Sequence, residues 1–228
     1  MDAKEILTQA EEVREGGDAL KSLELADQAM VAFQEAGDVV GLAQVLGSRT
    51  ISLRHLFQKT GDKNYLILAK HTAMAAVEIA RGSGQKEALA IPLYNLAKTQ
   101  EELGELADAV ANYKEAVENI TNNPPETHNR PSVVADIKMR LAICEYKNGD
   151  KSALQRAEDA LSQLEASEEE KYKKDVWVSG GHMHLAEALK SDNPVKAKEH
   201  LQKAKAIIEA NPDLKIRSEQ LQKVEESL

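Results

Sequence analysis

The sequence predicts an all-α protein built from five repeated helical hairpins and one further capping helix. The composition favours the packing of small residues between helices over an extended sheet, since aromatic residues make up 4% of the chain and charged residues 29%. In addition, an alanine recurs every 43 or 44 residues along most of the 228-residue chain, as expected for stacked identical units. These alanines are Ala29, Ala73, Ala116, Ala160 and Ala204.

The segment 93–116 shows most clearly what each repeated unit contains. Apolar residues with the spacing of an amphipathic helix precede Gly104, which predicts a tight turn. A second apolar series follows the turn at spacings of four and three residues, so its members share one helix face. This second series is Ala109, Tyr113 and Ala116. The segment is therefore predicted to be a helical hairpin.

Two further markers repeat in the same register as the alanines. The turn recurs as Gly17-Asp18, Gly61-Asp62, Gly104-Glu105, Gly149-Asp150 and Asp192-Asn193-Pro194. The pair that precedes it on the first helix recurs as Gln9-Ala10, Leu53-Arg54, Leu96-Ala97, Leu141-Ala142 and Leu185-Ala186. The agreement of separate markers supports one repeated unit.

These residues resemble the tetratricopeptide repeat (TPR), in which a leucine and a small residue precede a glycine turn and an alanine, aromatic, alanine series follows. The resemblance implies a right-handed α-solenoid. Each unit here is about ten residues longer than the usual TPR unit of about 34 residues. A HEAT or armadillo array has a similar period and is the alternative, but the glycine-acidic turns favour the TPR type.

Glycine and proline divide the chain into these units. Gly37 and the glycines of 82–84 are typical of helix ends, and the polar, proline-containing stretch 122–131 predicts the longest loop. Pro212 ends the fifth unit. The predicted units are about 1–37, 38–82, 83–125, 126–166 and 167–212, and residues 213–228 are predicted to form a helix that caps the array.

Two helix starts are predicted from local signals. Pro92 lies within a helix predicted from Gln85 to Leu103, and it should kink that helix or mark its true start, because proline removes a helical hydrogen bond. Ser167 with Glu170 matches the pattern of a capping box and predicts a helix that begins near Glu168.

The charge and cysteine content limit the classes of partner. The formal net charge of −9 argues against general binding to a phosphate backbone, which needs a positive surface, so nucleic acid is not an expected partner. The single cysteine, Cys144, excludes an intrachain disulfide and is spaced as a packing residue. The charged N-terminal segment has no long apolar core. We therefore expect a cytoplasmic protein without a membrane partner.

Catalytic, metal-binding and cofactor-binding centres are not predicted. Gly180-Gly181-His182-Met183-His184 contains two histidines, but on a helix their side chains point about 200° apart and cannot share one ion. No set of nucleophile, base and orienting group is found. The sequence therefore predicts a protein that is not an enzyme.

The TPR resemblance implies that the first helix of each unit lines a concave groove where a peptide or partner helix binds. In the repeat register, the middle of this groove is cationic, which favours an anionic or carboxylate-bearing segment. The candidate partner-binding residues are Ser52, His55, Tyr94, Asn95, Lys98, Arg140, Tyr146, Lys147 and His184. The predicted function is a protein-interaction or scaffold module. The alternative is a peptide- or ligand-responsive regulatory sensor of the long-unit TPR type, and homodimerisation is open.

Overall fold

The computed structural model describes residues 2–228, with all of their side chains except that of Thr127. This part of the chain contains eleven α-helices and no β-strand. The helices form five hairpins followed by one C-terminal helix, which confirms the predicted fold class. They belong to two compact units, of which the first ends at Thr127 and the second begins at His128.

The first unit contains three hairpins, in which each second helix packs along its own first helix. Its helices are α1 (Ala3–Glu15), α2 (Ala19–Ala36), α3 (Val39–Thr60), α4 (Lys63–Gly82), α5 (Ala90–Leu103) and α6 (Leu106–Asn122). The second unit contains two hairpins and the last helix. Its helices are α7 (Pro131–Lys147), α8 (Ala153–Glu165), α9 (Lys171–Leu189), α10 (Pro194–Glu209) and α11 (Lys215–Ser227).

The recurring glycine-aspartate turns combine a helix end with a helix start. Gly61 ends α3 with φ of 73°, a left-handed conformation that glycine adopts without steric cost. The next residue, Asp62, accepts a hydrogen bond from the backbone N–H of Asn64 and caps α4. The same residue pair therefore stops one helix and starts the next within two positions.

The recurring alanines are buried on the second helix of each hairpin. All five are buried, with at most 5% of their surface exposed. Alanine keeps the second helix close to its neighbours, and larger side chains such as Tyr113 fill the space beside it. The Tyr113 hydroxyl donates a hydrogen bond of 2.9 Å to Glu101 Oε2. The repeat register in the sequence is thus a packing register in the structure.

The starts of α5 and α9 can be compared with the two predictions from local signals. A 3₁₀ turn covers Lys86–Ala88 and α5 begins at Ala90, so Pro92 lies in the first turn and marks the true start of the helix. The predicted capping box at Ser167 is wrong. Its hydroxyl donates to the Leu164 carbonyl at 2.7 Å, which completes the end of α8, and α9 begins only at Lys171.

Within each unit, the first helix of a hairpin packs against both helices of the hairpin before it. In the first unit α3 contacts both α1 and α5, and in the second unit α7 contacts α9, whereas second helices of neighbouring hairpins contact each other sparsely. The first helices are therefore closer together than the second helices. This places α1, α3 and α5 on the inner side of the first unit.

Three ion pairs join the second and third hairpins of the first unit. Arg54 of α3 forms two hydrogen bonds with the Glu102 carboxylate of α5, at 2.9 and 2.6 Å, and both side chains are largely buried. The other two pairs are more exposed and lie on the side of the second helices. They join Lys70 to Glu105 and Arg81 to Glu115. Pairs of this kind fix which face of one hairpin meets the next.

Candidate interaction surface

Three of the predicted residues lie on the inner helices α3 and α5 of the first unit. His55 of α3 and Lys98 of α5 occupy corresponding positions of consecutive repeats, and both are half-buried. The Lys98 ammonium lies 4.8 Å from the centre of the Tyr94 ring, a cation–π geometry. Tyr94 itself is buried, with 8% of its surface exposed, and packs against Tyr113 with ring centroids 5.9 Å apart. We call His55, Tyr94 and Lys98 the inner cationic surface.

Two predicted residues of the first unit lie inside the protein instead. Ser52 has no exposed surface, and its hydroxyl lies 2.9 Å from the Ser22 hydroxyl of α2. Asn95 is 4% exposed and packs against Gly47 of α3. Both side chains therefore hold neighbouring hairpins together, and the prediction that they contact a partner is corrected.

The same correction applies to two residues of the second unit. Arg140 of α7 is 3% exposed. Tyr146 is also buried, and its hydroxyl donates to Asp192 Oδ2 at 2.8 Å. Burial and this hydrogen bond raise the pKa of the Tyr146 hydroxyl. Lys151 also pairs with Asp192 and lies over the Tyr146 ring, so Tyr146 fastens the fourth hairpin to the turn of the fifth.

Lys147 and His184 are the remaining predicted residues, and both belong to the second unit. Lys147 is exposed at the end of α7. His184 is half-buried on α9, with Nδ1 3.5 Å from Glu187 Oε2 of the same helix. Both side chains retain solvent contact, as a role in partner binding requires.

A buried polar cluster of the second unit was not predicted. His182 of α9 contacts His200 of α10 with their Nδ1 atoms 2.9 Å apart, and His182 Nε2 lies 3.0 Å from Glu165 Oε1 of α8. The sequence carried a signal for the histidine pair, because the two residues are equally distant from Ser191 in the turn between antiparallel helices. His184, the other histidine of the motif, takes no part in this pair.

Cys144 and Trp177 have packing roles. Cys144 is fully buried, as its spacing predicted, and Trp177 packs against the apolar core of the second unit. Within residues 2–228, no three histidine, cysteine, aspartate or glutamate side chains are grouped as metal ligands. Nor is any helix in this range both long enough and apolar enough to cross a membrane.

The fold is similar to that of solved helical-repeat structures. Two structures of a kinesin light chain-like protein from Podosopora anserina, with nearly identical TPR-like repeats, match at 15% identity with TM-scores of 0.59 and 0.58. They cover 90% and 91% of this chain and 93% and 96% of their own. BtubC from P. vanneervenii matches at 21% identity and a TM-score of 0.58, over 91% of this chain and 80% of its own.

Sequence comparisons add no closer relative: no family model matches the chain, and no curated protein matches it significantly. The structural likeness extends over nine-tenths of the chain and includes the repeated hairpins. The regular burial of one alanine per hairpin agrees with it. The fold of this chain is therefore that of the TPR-like helical repeat structures.

Proposed function

We propose that the chain is a non-catalytic interaction module that binds a carboxylate-bearing peptide segment of a partner protein on the inner cationic surface. The TPR-like fold supports the general role, because such repeats mediate contacts between proteins. The observation that carries the proposal is the position of Lys98 over Tyr94, with a histidine, His55, at the corresponding position of the previous repeat. The Lys98 ammonium can donate a charge-assisted hydrogen bond to a carboxylate, and the buried Tyr94 ring beneath it helps to hold the ammonium in place.

The charge of the chain strengthens this choice of ligand. Most of the protein is acidic, with a net charge of −9, so a general attraction to anions is excluded. An anionic peptide would therefore be recognised through a local cationic position rather than by the net field. Binding of this kind should weaken at higher ionic strength, since partly exposed charges are screened by salt.

Replacing Lys98 with glutamate is expected to weaken binding of an acidic peptide at least about tenfold, equivalent to about 1.4 kcal/mol. The substitution removes the donor and adds a charge that repels a carboxylate. Peptides are first selected from a random displayed library with the full chain as bait. The affinities of the selected peptides for the wild type and for Lys98→Glu are then compared by fluorescence anisotropy.

Lys63→Glu is the matched control, because it makes the same charge change at an exposed position on the second helix α4. We expect its affinity to stay within about twofold of the wild type, since a distant surface charge contributes little. His55→Ala should weaken binding as Lys98→Glu does. Selected peptides without acidic residues, or equal affinities for the Lys98 and Lys63 variants, would contradict the proposal.

A further inference from the structure

The second unit contains a polar cavity of about 230 Å³ that is not part of the proposed peptide site. Helix α8 contributes Glu158 and Glu165 to its walls, and His182 of α9 contributes an imidazole. Water in this cavity would reach two side chains that are otherwise buried, since His182 is 2% and His200 7% exposed. The charged groups of α10 that line it are Lys196, Glu199 and Lys203.

The contact between the two histidines requires one shared hydrogen. Their Nδ1 atoms are 2.9 Å apart, the distance of a normal hydrogen bond, so one nitrogen donates and the other accepts. If both carried a hydrogen, two donors would face each other. If neither did, two lone pairs would do so. The hydrogen bond at the centre of the pair therefore forms only when one of the two Nδ1 atoms carries a hydrogen and the other does not.

The outer nitrogens determine which histidine donates. His182 Nε2 lies 3.0 Å from the Glu165 carboxylate, so it carries a hydrogen and donates it, which leaves Nδ1 of the neutral ring as an acceptor. His200 Nδ1 is then the donor. His200 Nε2 lies 3.6 Å from Glu158 Oε1, which faces the proton that this ring would gain. His200 can thus become charged while the central hydrogen bond remains.

We propose that this histidine pair is a proton-sensitive clasp that holds α10 against α8 and α9 and releases it when His182 becomes charged. Protonation of His182 can occur only at Nδ1, because Nε2 already carries its hydrogen. The new hydrogen would point at the Nδ1–H of His200 across 2.9 Å, and the central bond would be lost. Separation of α9 and α10 relieves this repulsion and exposes both rings to water.

The surrounding charges agree with this direction. Burial lowers the pKa of His182 to about 3, and the positive charges of His200 and Lys203 act in the same sense. Burial also lowers the pKa of His200, with Glu158 acting in the opposite sense. Lys196 is held by Glu158 at 2.5 Å. The Glu165 carboxylate would attract a positive charge on His182, but its side chain is 43% exposed, which weakens this attraction.

A lowered pKa in the closed state means that protons bind preferentially to the open state. The clasp is therefore complete above the ordinary histidine pKa of 6.5 and weakens as the pH falls from 6.5 towards 3. Within this window each pH unit multiplies the ratio of open to closed molecules by about ten. Between pH 7.5 and pH 5, one such group gives an increase of about 30-fold.

Hydrogen exchange of the full chain tests this mechanism. After correction for intrinsic exchange rates, the opening constant of amides in α10 should rise about 30-fold between pH 7.5 and pH 5. His182→Gln keeps one donor towards Glu165 and one acceptor towards His200 but cannot titrate, so its opening constant should change several-fold less than that of the wild type, and the remaining change is due to His200, whose pKa burial also lowers. His71→Gln, at an exposed histidine of α4, should retain the full dependence.

An unchanged α10 opening constant in the wild type would overturn the proposal, as would a 30-fold change that persists in His182→Gln. A second measurement covers the case in which that variant does not fold. The imidazole nitrogen chemical shifts of the wild type, followed by NMR, show at which pH His182 becomes charged. We expect α10 to open over the same pH range. Two charged rings at pH 5 with α10 still protected would also overturn it.

Discussion

Replacing Arg54 with methionine is expected to lower the free energy of unfolding by about 3 kcal/mol. The Arg54 side chain is 6% exposed and that of its partner Glu102 is 19% exposed, so the carboxylate would remain in a poorly hydrated place without its cation. Gln58, which donates to Glu102 Oε1 at 2.8 Å, supplies a hydrogen bond but no charge. Urea unfolding followed by circular dichroism, with hydrogen exchange in α3 and α5, measures the loss.

The expected result depends on burial, and two variants test that cause. Arg54→Met with Glu102→Leu removes both charges and should recover most of the stability, because no unpaired group is left behind. Arg81→Met breaks the pair with Glu115. The two side chains of this pair are 46% and 37% exposed, so the free energy of unfolding should fall by less than about 1 kcal/mol. Equal losses for Arg54→Met and Arg81→Met would show that burial does not determine the contribution of these pairs.

Much of the fold could be predicted from the sequence because each repeat uses the same residue types at helix contacts and at turns. Alanine at a 43- or 44-residue spacing marks close helix packing, and the glycine-aspartate turns stop one helix and cap the next. Local signals failed where they had more than one structural meaning. Ser167 has the residue type and spacing of a helix start, but its hydroxyl completes the end of the previous helix.

The candidate site was harder to predict because a first helix packs on several sides. Helix α5 contacts α3, α4 and α6, so most of its residues are buried and only a narrow stripe reaches solvent. The repeat register identifies the face but not the width of that stripe. Asn95 and Lys98 are one turn apart on the predicted face, yet Asn95 packs against Gly47 while Lys98 remains accessible. Only tertiary contacts distinguish them.

The adjacent glycines of α9 lead to the second prediction: Gly181→Ala is expected to destabilise the second unit by about 2 to 3 kcal/mol. A Cβ atom at Gly181 would lie 2.6 Å from Met139 Sδ and 3.0 Å from Leu161 Cδ1. Both neighbours are buried in the core between α7, α8 and α9 and have little space to move. Urea unfolding followed by the fluorescence of Trp177, the only tryptophan, reports on this unit.

Gly180→Ala separates this crowding from the general effect of replacing a helical glycine. Alanine favours a helix by about 1 kcal/mol over glycine at either position, so that contribution is common to both variants. At Gly180 the new Cβ would meet the guanidinium of Arg217 at 3.0 Å, the end of a half-buried and flexible side chain that can shift. We expect Gly180→Ala to stay within about 1 kcal/mol of the wild type. If both variants lost equal stability, close approach at Gly181 would not explain why α9 carries glycine there.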